Sequence, residues 1–472
     1  MAQARLLEKG AGWLAKRLQN RVPYHPSNTF LEGPFAPLPA EHTETALTVH
    51  GSIPPELNGM LTRIGPNPLH VENPATYHWF MGDGMVHGLR LQDGRALWYR
   101  NRYVGSDSAN KALGKALATG PRRGIADVVN TNIIAHGGRL WALVEAGSYP
   151  VELDASLNTV KHGLFDSTLD NSFTAHPHLD PETGELHAIC YDGLVHNRVQ
   201  YLVVDKHSRV TRKIDIPVKH GPMMHDSAIT KKHVVILDLP VTFSVKHALS
   251  GAPLPYAWNP RHQARVGLLP RNGESSDIRW FTIDPCFAFH ICNAFDLEDG
   301  SVVVDLVVYE RMFDRSRQGP EDQQNVAFER WTLAAGSSQV QRRVLSTERQ
   351  EFPRFDERLT GKPYRHAYAV GVDNLGKPAA NVLLHHDLHT GTTSKHHYGP
   401  QLITGEAVFV PRHADAAENE GWLLSYVHDL EGGNSRVVIL DAADVAGKAV
   451  AEIELPVRVP LGFHGNWIAT TE

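Results

Sequence analysis

The segment NVLLHHDLHTGTTSKHHYG, residues 381–399, shows in miniature the pattern that decides the fold. NVLLHHDL is typical of a β-strand, HTGT of a turn and TSKHHYG of a returning strand, which together predict a hairpin. Five of the chain's 28 histidines lie in this segment. His385 and His386 are neighbours and so face opposite sides of a strand, as do His396 and His397. We therefore expect a solvated, histidine-rich hairpin here and no metal site.

Short runs rich in β-branched and aromatic residues recur along the chain and favour strands over helices. They include RLWALVEAG (139–147), VQYLVVD (199–205), HVVILDLPV (233–241), SVVVDLVVYE (301–310), HAYAVGV (366–372), GWLLSYVHD (421–429) and RVVILDA (436–442). The 39 glycines and 30 prolines suit the many turns that such strands require. After residue 22 only SANKALGKALA (108–118) is a candidate helix. The sequence predicts an all-β fold, either a propeller or another large closed β architecture.

The chain divides into three parts by residue composition and hydrophobic pattern. Residues 1–22 predict an amphipathic helix, residues 23–45 are rich in proline and predict an extended arm, and residues 46–472 predict a single propeller domain. No linker interrupts the third part.

The N-terminal helix has an apolar stripe, formed by Leu7, Ala11, Leu14, Leu18 and Val22, with lysine and arginine opposite. It either makes peripheral contact with a membrane through residues 4–22 or docks on its own protein. No apolar run reaches the ~18 to 20 residues that a spanning helix needs. The N-terminus also lacks a signal peptide's apolar stretch. We expect a cytoplasmic protein, either free or peripheral to a membrane.

Composition and motifs exclude several function classes. The net charge of −6 has no long block of one sign, so nucleic acid is a poor candidate partner. Cys190, Cys286 and Cys292 form no CxxC pair, which favours buried thiols in a reducing compartment. MGDGM (81–85) lacks the strand and helix context of a dinucleotide site. No GxSxG or HExxH motif is present. We expect no organic cofactor.

Four isolated histidines stand in unusual settings, each next to a turn or strand. They are His176, His225, His290 and His464, separated by 49, 65 and 174 residues. If a blade takes about 50 to 65 residues, these intervals correspond to one, one and about three blades of a propeller. The four side chains would then converge on the central axis. Spacing alone leaves open that each is a structural histidine.

A series of ordered motifs resembles the carotenoid cleavage oxygenase family through nearly the whole chain after residue 45. The motifs are GSIPPELNGMLTRIGPNP (51–68), HWFMGDGMVHGLRL (78–91), YRNRYV (99–104), VGLLPR (266–271), EFPR (351–354) and GEAVFVPR (405–412). The resemblance implies a seven-bladed β-propeller with a dome of loops over its axis. It also implies a non-haem Fe(II) on that axis, with His176, His225, His290 and His464 as its ligands.

The implied site is chemically coherent. Four neutral imidazoles suit ferrous iron and leave two octahedral positions open for dioxygen and for substrate or water. Imidazole ligands usually donate their second N–H to a carboxylate or carbonyl. The resemblance places Glu145, Glu351 and Glu406 in that outer layer, without indicating which glutamate holds which histidine. It also places Thr131, in VVNTNIIAH, beside the open position as a gate to oxygen or substrate, although a strand-edge threonine is an equal alternative.

The family's reaction uses dioxygen as co-substrate and splits a C=C bond into aldehyde or ketone products. The expected substrate is a carotenoid or apocarotenoid, and a phenolic stilbene or phenylpropene is the alternative. The phenolic branch carries a lysine before the first outer-layer glutamate, where this chain has Val144, while Tyr103 matches its tyrosine. Phe289, Phe463 and Trp467 are candidate pocket residues because they neighbour ligands. Two different functions stay open at this point, namely a retinoid isomerohydrolase with the same iron site and a non-catalytic propeller.

Overall fold

The computed structural model describes residues 2–124, 126–315, 326–371 and 381–470. Three α-helices lie in these ranges: α1 (Ala2–Gln19), α2 (Asp107–Ala112) and α3 (Val245–Leu249). The first covers most of the helix predicted at residues 4–22, and the second begins one residue before the predicted 108–118 segment. The third was not predicted, because five residues are too few to show a helical period.

Short antiparallel strands make up most of the described chain. Those of the first half are β1 (Thr43–Glu44), β2 (Val49–Gly51), β3 (Gly59–Pro66), β4 (Gly84–Gln92), β5 (Arg95–Tyr103), β6 (Asn132–His136), β7 (Arg139–Leu143), β8 (Val151–Leu153), β9 (Thr159–His162), β10 (His178–Leu179), β11 (Leu186–Asp192), β12 (Val195–Val204), β13 (Val210–Pro217), β14 (Ser227–Ile229), β15 (His233–Asp238), β16 (Val241–Phe243) and β17 (Tyr256–Trp258). Those of the second half are β18 (Arg265–Pro270), β19 (Arg279–Thr282), β20 (Ile291–Asp296), β21 (Val302–Tyr309), β22 (Val326–Leu333), β23 (Gln341–Ser346), β24 (Gln350–Phe355), β25 (His366–Gly371), β26 (Val382–Asp387), β27 (Thr392–His397), β28 (Leu402–Thr404), β29 (Val408–Pro411), β30 (Gly421–Asp429), β31 (Ser435–Asp441), β32 (Ala451–Glu454) and β33 (Trp467–Ala469).

These strands form the seven blades of a β-propeller, as predicted. The blade sheets have the strand orders β1-β5-β4-β3-β33, β6-β7-β8-β9, β10-β11-β12-β13, β14-β15-β18-β19, β20-β21-β22-β23, β24-β25-β26-β27 and β2-β32-β31-β30-β28, with β29 also paired to β30. The hairpin of β16 and β17 stands apart from the blades and is the only two-stranded sheet in the described ranges.

The inner strands of successive blades meet around one axis. In the described chain β3 contacts β6, β10 contacts β14, β14 contacts β20, β20 contacts β24, β24 contacts β29 and β29 contacts β33. The ends of the chain close the ring twice, since β2 pairs with β32 and β33 pairs with β3. Closure removes exposed sheet edges, and it brings residues near the C-terminus to the same axis as those of the middle blades.

Packing between blades explains the apolar strands. Every residue of β21 is buried, because both faces of an inner-blade strand lie against neighbouring sheets. The three cysteines are free and buried in these cores, as predicted from the sequence: Cys190, Cys286 and Cys292. The core therefore occupies the gaps between blades and leaves the axis to polar side chains.

The predicted histidine-rich hairpin exists as β26 and β27, but the expectation that it is solvated was wrong for His386. That side chain is 4% exposed, and its Nε2 and Nδ1 lie 2.8 and 2.9 Å from Gln350 Oε1 and Thr393 Oγ1. The ring also packs on Phe328 at 5.3 Å between centroids. The neighbouring blade covers this face, which a hairpin taken alone does not reveal.

Two further expectations need adjustment. The arm at 23–45 is not wholly extended, because it contains two 3-10 turns (Thr29–Leu31 and Gly33–Phe35) and contributes β1 to the first blade. The strand predicted at 366–372 is β25, which ends at Gly371, and residue 372 lies outside the described residues.

Candidate metal centre

The four isolated histidines lie on the segments that lead into inner strands. His176, His225 and His290 precede β10, β14 and β20, and His464 lies between β32 and β33. Because the inner strands ring the axis, these segments end at the same place from different directions. The sequence intervals of 49, 65 and 174 residues therefore become one cluster.

The ring nitrogens of the four histidines face one another. The candidate ligand atoms all lie within 4.8 Å of each other. His225 Nε2 and His290 Nε2 are 3.3 Å apart, and His290 Nε2 and His464 Nε2 are 3.1 Å apart. In the described chain this is the one group of three or more histidine, cysteine or acidic side chains whose ligand atoms meet in this way. The hairpin histidines do not form such a group.

Three glutamates contact the Nδ1 atoms of three of the histidines, on the side of each ring away from the cluster. His225 Nδ1 lies 2.9 Å from Glu145 Oε1, and His290 Nδ1 lies 2.6 Å from Glu351 Oε2. His464 Nδ1 lies 3.2 Å from Glu406 Oε1. These contacts settle the pairing that the sequence left open.

The fourth histidine, His176, is held differently. It has no carboxylate partner in the described chain, and its Nε2 is buried without a hydrogen bond. Its backbone N–H donates to Thr174 Oγ1 at 3.1 Å. Burial and the three neighbouring imidazoles lower the pKa of His176 well below its usual value, so its ring stays neutral.

Glu351 and Glu406 are ionised despite their burial. Burial alone would raise the pKa of Glu351, but His290, the Phe352 N–H and the Tyr309 hydroxyl together hold it below its usual value. Burial is likewise outweighed at Glu406, where Arg354 and His464 lower the pKa. A carboxylate without its proton only accepts hydrogen bonds, so the imidazole Nδ1 atoms must donate.

This proton arrangement fits a cation. A neutral imidazole that donates from Nδ1 carries a lone pair on Nε2, and two lone pairs 3.1 to 3.3 Å apart cannot hydrogen-bond to each other. A proton on His290 Nε2 would bridge only one of these contacts and leave His176 Nε2 unpaired. A metal ion among the four nitrogens satisfies all of them, and imidazole suits iron, zinc, copper and nickel.

One carboxylate that the sequence analysis missed ties the ligand segments together. Asp226 is 5% exposed, and its Oδ1 accepts from His178 Nε2 at 2.9 Å while its Oδ2 accepts from the Ile291 N–H at 2.8 Å. It therefore joins the segments that carry His176, His225 and His290. Its position directly after His225 in MMHDS was the available signal.

A bulge in β24 directs two consecutive side chains toward the axis. The register between β24 and β25 shifts between Glu351 and Arg354, and Phe352 has a φ of +53°, unusual for a bulky residue. Glu351 thereby reaches His290, and the Phe352 ring stacks on the same imidazole at 5.2 Å between centroids. Arg354 reaches Glu406 at 2.6 Å, so the EFPR motif supports two glutamates.

A large cavity of about 1370 Å³ extends from the histidines to the surface. Its deep wall contains His225, His290 and His464, and its outer wall contains residues of α1 and α3. Aromatic rings surround the deep part, namely Trp79, Phe80, Phe289, Phe352 and Phe463. The cavity is larger than the roughly 300 to 1,000 Å³ typical of small-molecule sites. It therefore suits a long apolar ligand.

The structure brings most of the predicted pocket residues to this cavity. Thr131, Val144, Phe289 and Phe463 line it. The carbonyl oxygen of Thr131 also accepts the His464 N–H at 3.1 Å, which links the predicted gate to a metal ligand. Whether Thr131 controls access to the open position stays a prediction.

Two predicted pocket residues do not line the cavity. The Tyr103 side chain is turned to Asn67 and to Leu38 O, 3.3 Å away, because Tyr103 ends β5 on the outer side of the first blade. Trp467 packs in the core between the first and last blades, where β33 pairs Trp467 with Leu61. Closeness to a ligand in sequence misled here, since strand alternation turns Trp467 away from the axis.

The helix α1 docks on the propeller as a wall of the cavity mouth. It contacts α3, and Ala11, Leu14 and Leu18 line the opening. Glu8 lies 3.7 Å from Arg123, which ties the helix to the body. Among the described residues, none of the helices is both long and apolar enough to span a bilayer.

Comparisons with known proteins agree with this architecture. The sequence model of the family described as retinal pigment epithelial membrane protein matches residues 35–469. The carotenoid cleavage oxygenase of Mycobacterium tuberculosis is 40% identical over 94% of this chain and 98% of its own length. The lignostilbene dioxygenase of Pseudomonas brassicacearum superposes with a TM-score of 0.85 at 29% identity, covering 95% of this chain and 100% of that one. Cobalt-substituted apocarotenoid oxygenase of Synechocystis gives a TM-score of 0.83 at 26% identity, over 92% and 97% of the two chains. Since the family match spans the propeller from its first blade to its last, the chain belongs to the carotenoid oxygenase family.

Proposed function

We propose that this chain is a ferrous-iron-dependent dioxygenase that cleaves one C=C bond of a carotenoid or apocarotenoid. The observation that carries the proposal is the position of four imidazoles at the foot of a large aromatic cavity. Ferrous iron, when bound there, supplies the redox chemistry and the open coordination positions that dioxygen requires. One C=C bond and one O2 give two C=O groups, so the overall reaction needs no external reductant and no organic cofactor.

The protein's own residues position the reactants. Glu145, Glu351 and Glu406 fix the imidazole rings through their Nδ1 protons and place three negative charges near the centre. The cavity wall binds the olefin by burial, and roughly 400 Å² of apolar surface supplies on the order of 10 kcal/mol before the costs of association. Holding one double bond against the imidazole cluster makes the reaction effectively unimolecular.

Isotope labelling tests the proposal. The chain, reconstituted anaerobically with ferrous iron, is supplied with ¹⁸O₂ and a panel of carotenoids, apocarotenoids and 4-hydroxystilbenes. We expect aldehyde or ketone products that carry ¹⁸O. Release of an alcohol and an acid without ¹⁸O from a retinyl ester added to the panel would favour an isomerohydrolase, and failure to retain iron at all would favour a non-catalytic propeller.

A phenolic olefin is the second candidate substrate. The similarity to lignostilbene dioxygenase supports it. Val144 opposes it, because this cavity-lining side chain offers no cation where the phenolic branch carries a lysine. The same panel decides between the two substrates by the mass of the products.

We also propose that the cavity mouth contacts a lipid surface, from which a carotenoid would enter. Trp13 and Leu14 of α1 are 63% and 45% exposed, and Val245 and Leu249 of α3 are 63% and 60% exposed. Both helices carry basic residues beside these side chains, which is typical of interfacial helices. Flotation with anionic liposomes tests this contact. The double variant Trp13→Ser with Leu249→Ser should float less than the unaltered chain while retaining its iron.

A further inference from the structure

A tyrosine on the cavity wall has a hydroxyl group that no protein group uses. Tyr256 begins β17 of the separate hairpin, is 7% exposed and lines the cavity. Its ring is fixed by edge contacts to Tyr191 and Phe243, both at 6.1 Å between centroids. Its hydroxyl makes no hydrogen bond to the described residues, and it is not among the atoms that the protein seals from the cavity.

The other buried tyrosines of this wall differ. The Tyr309 hydroxyl donates to Glu351 Oε1 at 2.8 Å, so it serves the outer layer of the candidate metal centre. Burial and the charge of Glu145 raise the pKa of Tyr191 well above its usual value, which places that hydroxyl near the same outer layer. The Tyr77 hydroxyl lacks a partner but is enclosed beside Gly82. Tyr256 therefore offers the cavity a buried hydroxyl donor that no hydrogen bond to the described residues uses.

The charges around Tyr256 restrict what it can bind. Burial, Glu145 and Asp192 together raise the pKa of Tyr256, so its hydroxyl remains a proton donor. Arg123, a cation of the cavity wall, is paired with Asp192 at 2.5 Å and with Asn171 at 2.6 Å. An anionic oxygen of a ligand would be repelled by the carboxylates of Glu145 and Asp192, and the charge of Arg123 is already paired with Asp192. A neutral oxygen would meet a hydrogen-bond donor.

We infer that Tyr256 determines substrate specificity by donating a hydrogen bond to a neutral oxygen atom at one end of the olefin. The inference rests on the proposed function and adds to it the substrate class: an olefin that carries an aldehyde, ketone or hydroxyl oxygen, not a carboxylate. The oxygen lies on the Glu145 side of the cavity, and the hydrocarbon chain extends toward the mouth between α1 and α3.

The substitution Tyr256→Phe removes only the hydroxyl. With iron-loaded protein, kcat/KM for a polyene aldehyde should fall about tenfold, which corresponds to about 1.4 kcal/mol, mostly through KM. For the matched polyene hydrocarbon kcat/KM should not change. Tyr398→Phe is the control, because that hydroxyl makes a 3.4 Å contact to Ser425 in a core away from the cavity. It should leave both substrates and the iron content unaffected.

A binding measurement separates this inference from the proposed reaction. Under anaerobic conditions a hydrogen bond to the carbonyl shifts the absorption band of a conjugated aldehyde to longer wavelength. The unaltered chain should produce the shift and Tyr256→Phe should not, whether or not turnover occurs. Arms with the corresponding alcohol and with 4-hydroxystilbene identify which neutral oxygen is used. Equal losses for aldehyde and hydrocarbon, no loss for any oxygen-bearing substrate, an unchanged spectrum, or preferred binding of the carboxylate would each overturn the inference.

Discussion

The chain has two histidine-rich regions, and they illustrate opposite relations between sequence and space. The hairpin of β26 and β27 collects its histidines within a few residues, yet their rings point to different neighbours. His385 packs against Tyr368 and His366, while His386 bonds to Gln350 and Thr393. The axial histidines are scattered over almost 300 residues and meet within 4.8 Å.

The two groups differ in the hydrogen-bond partner of the ring nitrogen that faces away from the centre. Three axial rings have Nδ1 within hydrogen-bond distance of a glutamate oxygen and turn their Nε2 atoms to one point. The rings of His385, His386 and His396 contact polar groups of the protein, and the described hairpin histidines share no centre. Several histidines close together in sequence are therefore weaker evidence for a metal site than unprotonated ring nitrogens that converge in space.

The largest expected effect comes from removing one axial ring. His290→Ala deletes the nitrogen that contacts both His225 Nε2 and His464 Nε2. Four-ligand zinc sites bind with about 10 to 16 kcal/mol, a few kcal/mol per ligand, so iron affinity should fall on the order of 100-fold or more. Iron per chain after gel filtration measures the loss.

The matched control is His386→Ala in the hairpin. It should retain one iron per chain and lose about 1 to 3 kcal/mol of unfolding free energy, because Gln350 loses a buried partner. Iron lost from this variant and retained by His290→Ala would reverse the comparison.

The next effect concerns the outer layer. Glu351→Gln keeps the shape of the side chain but removes the charge, and the amide can present its NH2 group to His290 in place of an acceptor. Iron affinity should fall about 10- to 100-fold. Competition with a chelator of known affinity measures it, and an unchanged affinity would show that the carboxylate does not orient His290.

A smaller loss is expected at Asp226. Asn in its place can accept one hydrogen bond through its carbonyl oxygen but cannot accept from both His178 and the Ile291 N–H. The segments carrying His176 and His290 should then move apart, and iron affinity should fall roughly tenfold, at the low end for outer-layer changes. A variant with intact affinity would mean that packing alone holds these segments.

The last prediction concerns the stability of the hairpin and its dependence on pH, with no change expected at the iron site. Burial lowers the pKa of His386 to about 4, from about 6.5 in the unfolded chain. Since the unfolded state then binds a proton more readily, stability is full above pH 6.5 and decreases toward pH 4, by on the order of 3 kcal/mol. Urea unfolding of iron-free protein between about pH 7 and pH 5 measures the slope. His386→Gln cannot titrate and should show a shallower slope, and an identical slope would assign the effect to other groups.

The fold and the four histidines that converge were predictable, because both leave signals in the local sequence. Hairpins and all-β texture follow from short β-branched runs between turns, and His176, His225, His290 and His464 stand in motifs with a family resemblance. The glutamate pairing was not predictable, because Glu351 meets His290 across 61 residues through a bulge. The positions of Trp467 and Tyr103 depend on which way a strand faces its neighbouring blade, and the local sequence does not contain that information.

We expect four imidazoles to share one iron on the propeller axis. X-ray absorption spectroscopy of the chain reconstituted with one ferrous ion tests it most directly, since multiple scattering from imidazole rings counts histidine ligands. The spectrum should give four imidazoles per iron, reduced to three or fewer in whatever iron His290→Ala retains. A first shell dominated by carboxylate oxygens, or an unaltered spectrum in that variant, would contradict it.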